Sequence, residues 1–254
     1  MTLSHQRTDH IDPVGQEPGT SAGDVTSLPV ALATFSRYGS PRLLVTAATI
    51  AVVARLALGF GFGVGWSRWD PVALVVVATM VPLVEWFVHR LILHAPAKRL
   101  GSLVIDPGAG HRSHHLDPSS IPNALLRPVD AALFTVTNAV LAVVIVWPLL
   151  TVVGAAHRFG PVVTAVAAAL VALTHYEWAH FLFHTAYRPK SSRYRRLKSN
   201  HRLHHWRNEG YWLGVTSNGG DRLARTLPKT KSDVSASPTA RTLGVDPAED
   251  APSR

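Results

Sequence analysis

The chain has 254 residues, 47% of them hydrophobic and only 16% charged, with 14 histidines and no cysteine. The lack of cysteine excludes disulfides, thiolate nucleophiles, iron–sulfur clusters and thiolate-ligated haem, so any metal must be held by nitrogen or oxygen. The formal net charge of +9 raises nucleic acid as a partner, a question that the placement of the charges answers.

Residues 1–36 are rich in Pro, Gly, Ser, Thr and Asp, lack the apolar core of a signal peptide, and read as a disordered tail. Four apolar segments follow, at about 43–65, 71–93, 131–153 and 161–184. Each has the ~20 residues that a bilayer-spanning helix needs. The first carries Arg55 and ends in the glycine-rich "GFGFGVG". The second carries Pro82, Glu85 and His89, with apolar residues resuming at Trp86–Val88 and Leu91–Leu93. The third, "AALFTVTNAVLAVVIVWPLLTVV", is uninterrupted, whereas the fourth is apolar to Thr174 and then reads "HYEWAHFLFH". Residues 228–254 read as a second disordered tail, leaving 37–227 as the folded domain.

Of 25 lysines and arginines, 22 lie before segment one, between segments two and three, or after segment four. The other two loops hold one each, Arg68 and Arg158, and Arg55 lies inside a segment. Basic residues favour the cytoplasmic side, so both termini and the loop between segments two and three are expected in the cytoplasm. This distribution accounts for the positive charge without nucleic acid. The expected fold is therefore an all-α integral membrane protein, with four transmembrane helices and a cytoplasmic, helical, histidine-rich cap.

The histidines form two matched blocks. His89 and His94 end segment two, and His111, His114 and His115 follow in "GHRSHHLDP". His180 and His184 end segment four, and His201, His204 and His205 follow in "NHRLHHW". All ten fall on one face of the membrane, in two parallel sets of five. His180 and His184 are one helical turn apart. Within each H-x-x-H-H the first histidine shares a helical face with the other two, so all three can point inward. His89 and His94 are turned about 140° from each other on a regular helix, so they share a site only where the helix loosens, which Pro96 favours. His5, His10 and His157 read as isolated surface residues. Candidates for orienting the ring ligands are Glu85, Glu177, Asp117 and His175. Trp178, Phe181, Phe183, Trp206, Tyr211 and Trp212 read as an interfacial aromatic belt.

Ten imidazoles exceed what one ion takes, whereas two ions with about five nitrogen ligands each fit. Imidazole suits iron, zinc, copper and nickel alike, so a zinc hydrolase and a metal-handling transporter or sensor stay open at this point. Transporters usually hold ligands at mid-membrane depth, and these histidines cluster at one surface.

The ordered boxes "HRLILH", "HRSHH", "HFLFH" and "HRLHH" resemble those of the fatty acid hydroxylase/sterol desaturase superfamily, and "YWLGVTSNGGDRLARTLP" is similar to its closing segment. The resemblance spans roughly 80–227. It implies an integral membrane, non-haem di-iron monooxygenase holding two iron ions on the ten histidines named above, with zinc as a possible substitute ion. Such an enzyme uses O2 to hydroxylate a membrane lipid, here most simply a fatty-acyl chain. Sterol or carotenoid hydroxylation or desaturation is the alternative with the same metal centre. The polar stretch of about 36 residues ahead of the membrane region is too short for the cytochrome b5 domain that some members carry. Electrons are accordingly expected from a separate donor, a reductase with a ferredoxin or a cytochrome b5-like protein.

Overall fold

Helices α1 (Leu28–Phe35), α2 (Gly39–Phe60) and α3 (Trp69–Val88) open the chain in the computed structural model, which describes residues 21–244. A π-helical turn at His89–Leu93 extends α3. A hairpin of β1 (Lys98–Leu100) and β2 (Leu103–Ile105) follows, then α4 (Ala109–Leu116), α5 (Ile121–Ala124), α6 (Pro128–Val152) and α7 (Phe159–His184). Helices α8 (Ser192–Trp206) and α9 (Gly219–Leu223) come last.

Four helices are long and apolar enough to cross a membrane: α2, α3 with its π-helical turn, α6 and α7. Helix α7 is their centre and packs on the other three. Its run of small residues, with Ala165, Ala167 and Ala169 buried, lets neighbouring backbones approach closely. Val77, Val146, Leu150 and Val162 fill the space around it. Apolar side chains such as Ile50, Val53, Val136 and Val144 point outward, as lipid-facing positions do. Proline at the first position of α6 starts that helix, since its fixed φ suits the first turn. Beyond α2, Gly63 and Gly65 take left-handed φ angles of 69° and 70° and turn the chain towards α3.

The expected tails need correction. Residues 21–36 carry a capped turn at Ala22–Asp24 and then α1. Val25, Ala31 and Phe35 are buried against Ile121, Leu125, Phe181 and Leu182. The stretch Leu28–Phe35, LPVALATF, is apolar though far too short to span a bilayer, and with Val25 it suffices to dock a short helix. Residues 228–244 likewise stay on the body, with Val234 and Ala240 buried. The remaining parts of the expected tails, 1–20 and 245–254, lie outside the described residues, as do His5 and His10. The hairpin Lys98–Ile105 is a small departure from an all-α chain. Phe181 and Trp212 are buried inside the protein, so the aromatic set is not simply an interfacial belt.

Arg55 closes the end of the bundle away from the histidines. Its guanidinium lies 2.7 Å from Asp70 Oδ1, donates to Gly65 O at 3.0 Å and to Thr164 Oγ1 at 2.7 Å, and stacks 3.8 Å from the Trp66 ring. One arginine thus ties α2, the following loop, α3 and α7. Its acidic partner is Asp70. Arg55 is 3% and Asp70 4% exposed, so Arg55→Met leaves a buried carboxylate without its partner and should cost about 3–5 kcal/mol. The check is the thermal unfolding of the detergent-solubilised protein. The single variant should unfold earlier, and Arg55→Met with Asp70→Leu should recover much of the loss.

Candidate metal centre

The ten histidines are carried by the π-helical turn and its cap, α4, the end of α7, and α8. The π-helical turn supplies the loosening that the spacing of His89 and His94 requires: it widens the backbone through Leu93, and His94 caps it. The two rings then lie 5.0 Å apart between centroids. In α4 the block is His111, His114 and His115; in α8 it is His201, His204 and His205.

The structure gathers all ten into two groups of five, each with its ring nitrogens within 4.8 Å of one another. The first is His89, His94, His111, His115 and His204; the second is His114, His180, His184, His201 and His205. This corrects the two parallel sets. Each half of the sequence supplies four members to its own group and lends one, His114 or His204, to the other. Helical geometry gives the reason. Residues i and i+4 of an H-x-x-H-H stay on nearly one face, while i+3 is turned about 100° from i+4. His111 and His115 therefore stay together, and so do His201 and His205, whereas the middle histidine of each block faces the neighbouring group. The groups adjoin, with the His115 and His205 rings stacked 4.1 Å apart.

Four rings are oriented by backbone carbonyls. Nδ1 of His89 donates to Leu213 O at 2.6 Å, that of His115 to Ala240 O at 2.8 Å, that of His180 to Ala124 O at 2.9 Å and that of His204 to Tyr211 O at 2.9 Å. A carbonyl can only accept, so Nδ1 holds the proton and Nε2 keeps its lone pair. The Nε2 atoms then converge. His111 Nε2 lies 3.1 Å from that of His89 and 3.2 Å from that of His115. In the second group His201 Nε2 lies 2.7 Å from that of His184 and 3.1 Å from that of His205. Burial, reinforced by neighbouring histidines, pushes His111, His114, His201, His204 and His205 well below the usual imidazole range, and His115 to about 3. These rings are neutral at pH 7 and can ligate.

Converging lone pairs repel unless a cation lies between them. Imidazole nitrogens about 2.1 Å from one ion, at right angles to each other, stand about 3.0 Å apart, close to the spacings here. His94 and His114 have both ring nitrogens buried without a partner, as do His180 and His204 at Nε2. Each neutral ring has one acceptor nitrogen, and an orphaned acceptor of this kind is what a metal satisfies. The donor set fits two metal ions, five nitrogens to each.

The four residues expected to orient the rings do other work. Glu85 accepts from the amides of Val215 and Thr216, the latter at 2.9 Å, and from Thr216 Oγ1 at 2.6 Å. Glu177 accepts from the Leu126 amide at 2.8 Å, and Asp117 from the Ser119 amide and hydroxyl. His175 Nε2 pairs with the Tyr194 hydroxyl at 2.6 Å and stands apart from both groups. No carboxylate among them bonds a histidine. Glu85 and Glu177 instead hold backbone segments whose carbonyls do so.

The segment 211–226 shows this best. Asp221 accepts from the amides of Leu213 at 3.0 Å and Gly214 at 2.7 Å and from Thr226 Oγ1 at 2.6 Å, while Glu85 grips Val215 and Thr216. A Cβ on Gly214 would sit 2.0 Å from Ser217 O, so only glycine fits this tight turn. Held from both sides, the segment presents Leu213 O to His89 and Tyr211 O to His204. In the sequence this part lies in the closing segment "YWLGVTSNGGDRLARTLP".

An apolar cavity of ≈ 110 Å³ begins at Glu85 and His89 and runs between α3, α6 and α7 past Val84, Met80, Phe134, Leu141 and Ile145 to Val76. His89 and Val76 are thirteen residues apart on the helix, about 20 Å along it. Asn138 is one of few polar groups in its wall, and its Nδ2 donates to Phe134 O at 2.9 Å, which satisfies that donor within its own helix.

A family model described as fatty acid hydroxylase matches residues 74–226, more than half of the chain. The chain belongs to the fatty acid hydroxylase family. No curated protein and no solved structure gives a significant match. The fatty acid hydroxylase region contains all ten histidines and the carbonyls that orient His89, His180 and His204, but not Ala240.

Glu85→Ala should release Val215 and Thr216 and loosen the carbonyl behind His89. The expected results are faster hydrogen exchange of both amides and a metal affinity about 10- to 100-fold lower, the usual loss when the outer support of a ligand is removed. Unchanged exchange and affinity would contradict the role given to Glu85.

Proposed function

We propose that this protein is an O2-dependent lipid hydroxylase that binds two iron ions, one per histidine group, and acts on a C–H bond of a fatty-acyl chain in the membrane. The observation that carries the reading is the apolar cavity meeting the first histidine group at His89. Two ions held there would supply dioxygen activation: overall, R–H, O2, two electrons and two protons give R–OH and water. All-nitrogen, neutral ligation leaves the ions' charge uncompensated by protein, which suits redox chemistry better than storage. Zinc fits the same nitrogens as a substitute ion without redox chemistry of its own.

The chain's own residues supply binding and exclusion. Val84, Val88 and Leu93 keep water from the cavity mouth beside His89, and Met80, Leu141 and Ile145 receive the chain deeper in the bilayer. Its almost wholly apolar lining, between helices that cross the bilayer, supports an acyl chain as substrate. Carbonyls of Leu213, Tyr211 and Ala124 keep the lone pairs of His89, His204 and His180 pointed inward. The positive-inside distribution supports a cytoplasmic position for the histidines and both chain ends, where a soluble donor can reach them.

That donor is a separate one-electron carrier, a ferredoxin or cytochrome b5-like protein with its reductase. The outer face of α8 suits an acidic one: Arg195, Arg196, Arg202 and Trp206 are exposed there, opposite the buried His201, His204 and His205.

The test is turnover of purified protein under 18O2 in lipid nanodiscs, driven by an acidic ferredoxin and its reductase, with lipids analysed by mass spectrometry. The expected product is an acyl chain carrying one labelled oxygen, formed more slowly after Arg195→Glu with Arg202→Glu and at the original rate when a small uncharged reductant replaces ferredoxin. Loss of two hydrogens without label would overturn hydroxylation in favour of desaturation. A labelled sterol or carotenoid would overturn the acyl substrate.

A further inference from the structure

The family match ends at residue 226, but the chain stays on the protein beyond it. Val234 O accepts from Arg207 Nε at 2.8 Å, and the Ser237 amide donates to Arg207 O at 2.7 Å. Glu209 Oε1 accepts from Ser237 Oγ at 3.0 Å and Thr239 Oγ1 at 2.6 Å. These bonds fasten the segment just beyond the end of α8. Further on, Arg241 donates to Leu116 O at 3.0 Å and stacks 4.2 Å over the Trp206 ring, bridging the ends of α4 and α8. Between the two anchorages lies Ala240, 2% exposed, its carbonyl 2.8 Å from His115 Nδ1.

We propose that residues 229–244 are a strap that positions His115 and thereby completes the first histidine group, a part of the site contributed from outside the family's own boundary. His115 is fully buried, and Ala240 O is the acceptor that fixes which of its nitrogens faces His111. The other three carbonyls that orient histidines, Leu213, Tyr211 and Ala124, all belong to the matched region. Without the strap, water replaces Ala240 at His115, the ring is free to turn either nitrogen inward, and one of the five donors of that group is lost. The second group takes no bond from residues 229–244 among the described residues, so the effect is confined to one group. Ala240 acts through His115 and is a positioning residue, not a catalytic one.

This inference rests on the metal reading above, and its test separates the two. The chain ending at Pro228 and a full-length chain with Glu209→Ala, Ser237→Ala and Thr239→Ala are loaded with Fe(II) and dialysed against a chelator. Iron per chain is then counted, and metal-free samples are treated with diethyl pyrocarbonate so that modification of His115 is read by peptide mass spectrometry. The full chain should retain two irons with His115 protected. Both variants should retain one, the affinity for the other falling about 10- to 100-fold, with His115 modified. A synthetic 229–244 peptide should restore both properties to the shortened chain. Two irons and a protected His115 in both variants would overturn the strap, as would loss of both irons without rescue by the peptide. A full chain that retains no iron, yet whose His115 becomes reactive only when the strap is loosened, would overturn the metal reading and leave the strap standing.

Discussion

Four rings of the histidine cluster, His94, His114, His180 and His204, hold an acceptor nitrogen that is buried without a hydrogen-bond partner among the described residues. Each such group costs about 1–3 kcal/mol when left unsatisfied, a cost that a fold does not sustain without a compensating ligand. The architecture is arranged around that constraint. Four transmembrane helices end where the histidines begin, α4 and α8 lie across those ends, and backbone carbonyls hold Nδ1 protons outward so that Nε2 lone pairs meet. The exchange of His114 and His204 binds the two halves together, because neither half can complete its own group.

How much of this was legible follows from what carries the signal. The ten histidines were readable because residue type and spacing are both side-chain properties, and the π-helical turn was foreseeable because His89 and His94 cannot otherwise converge. The four membrane helices followed from length and hydropathy. The exchange of His114 and His204 was not legible, since it depends on how α4 packs beside α8. Glu85, Glu177, Asp117 and His175 suggest themselves as orienting groups because they stand near histidines in the chain. The groups actually found are carbonyls of Leu213, Tyr211, Ala124 and Ala240, which any residue provides and no composition reveals. The apolar stretch Leu28–Phe35 is only eight residues long and follows a polar, proline- and glycine-rich segment, so its docking against α5 and α7 does not show in the sequence.

Position in the membrane connects the centre to its chemistry. The first histidine group sits at the end of an apolar cavity between α3, α6 and α7, which on the proposed reading receives the lipid from the bilayer. Glu85 stands where cavity, helix and the 211–226 segment meet. Its bonds to Val215 and Thr216 hold the wall of the cavity and the support of His89 as one unit. Arg55 performs the corresponding structural task at the opposite end of the bundle, away from the chemistry.

The central claim is that two redox-active ions are held by nitrogen from histidine alone. Metal analysis with X-ray absorption spectroscopy on protein purified without oxygen tests it directly. Two irons per chain in a nitrogen-dominated shell, with dioxygen consumed once they are reduced, is the predicted result. A single ion per chain, or full activity with zinc and no uptake of dioxygen, would contradict it.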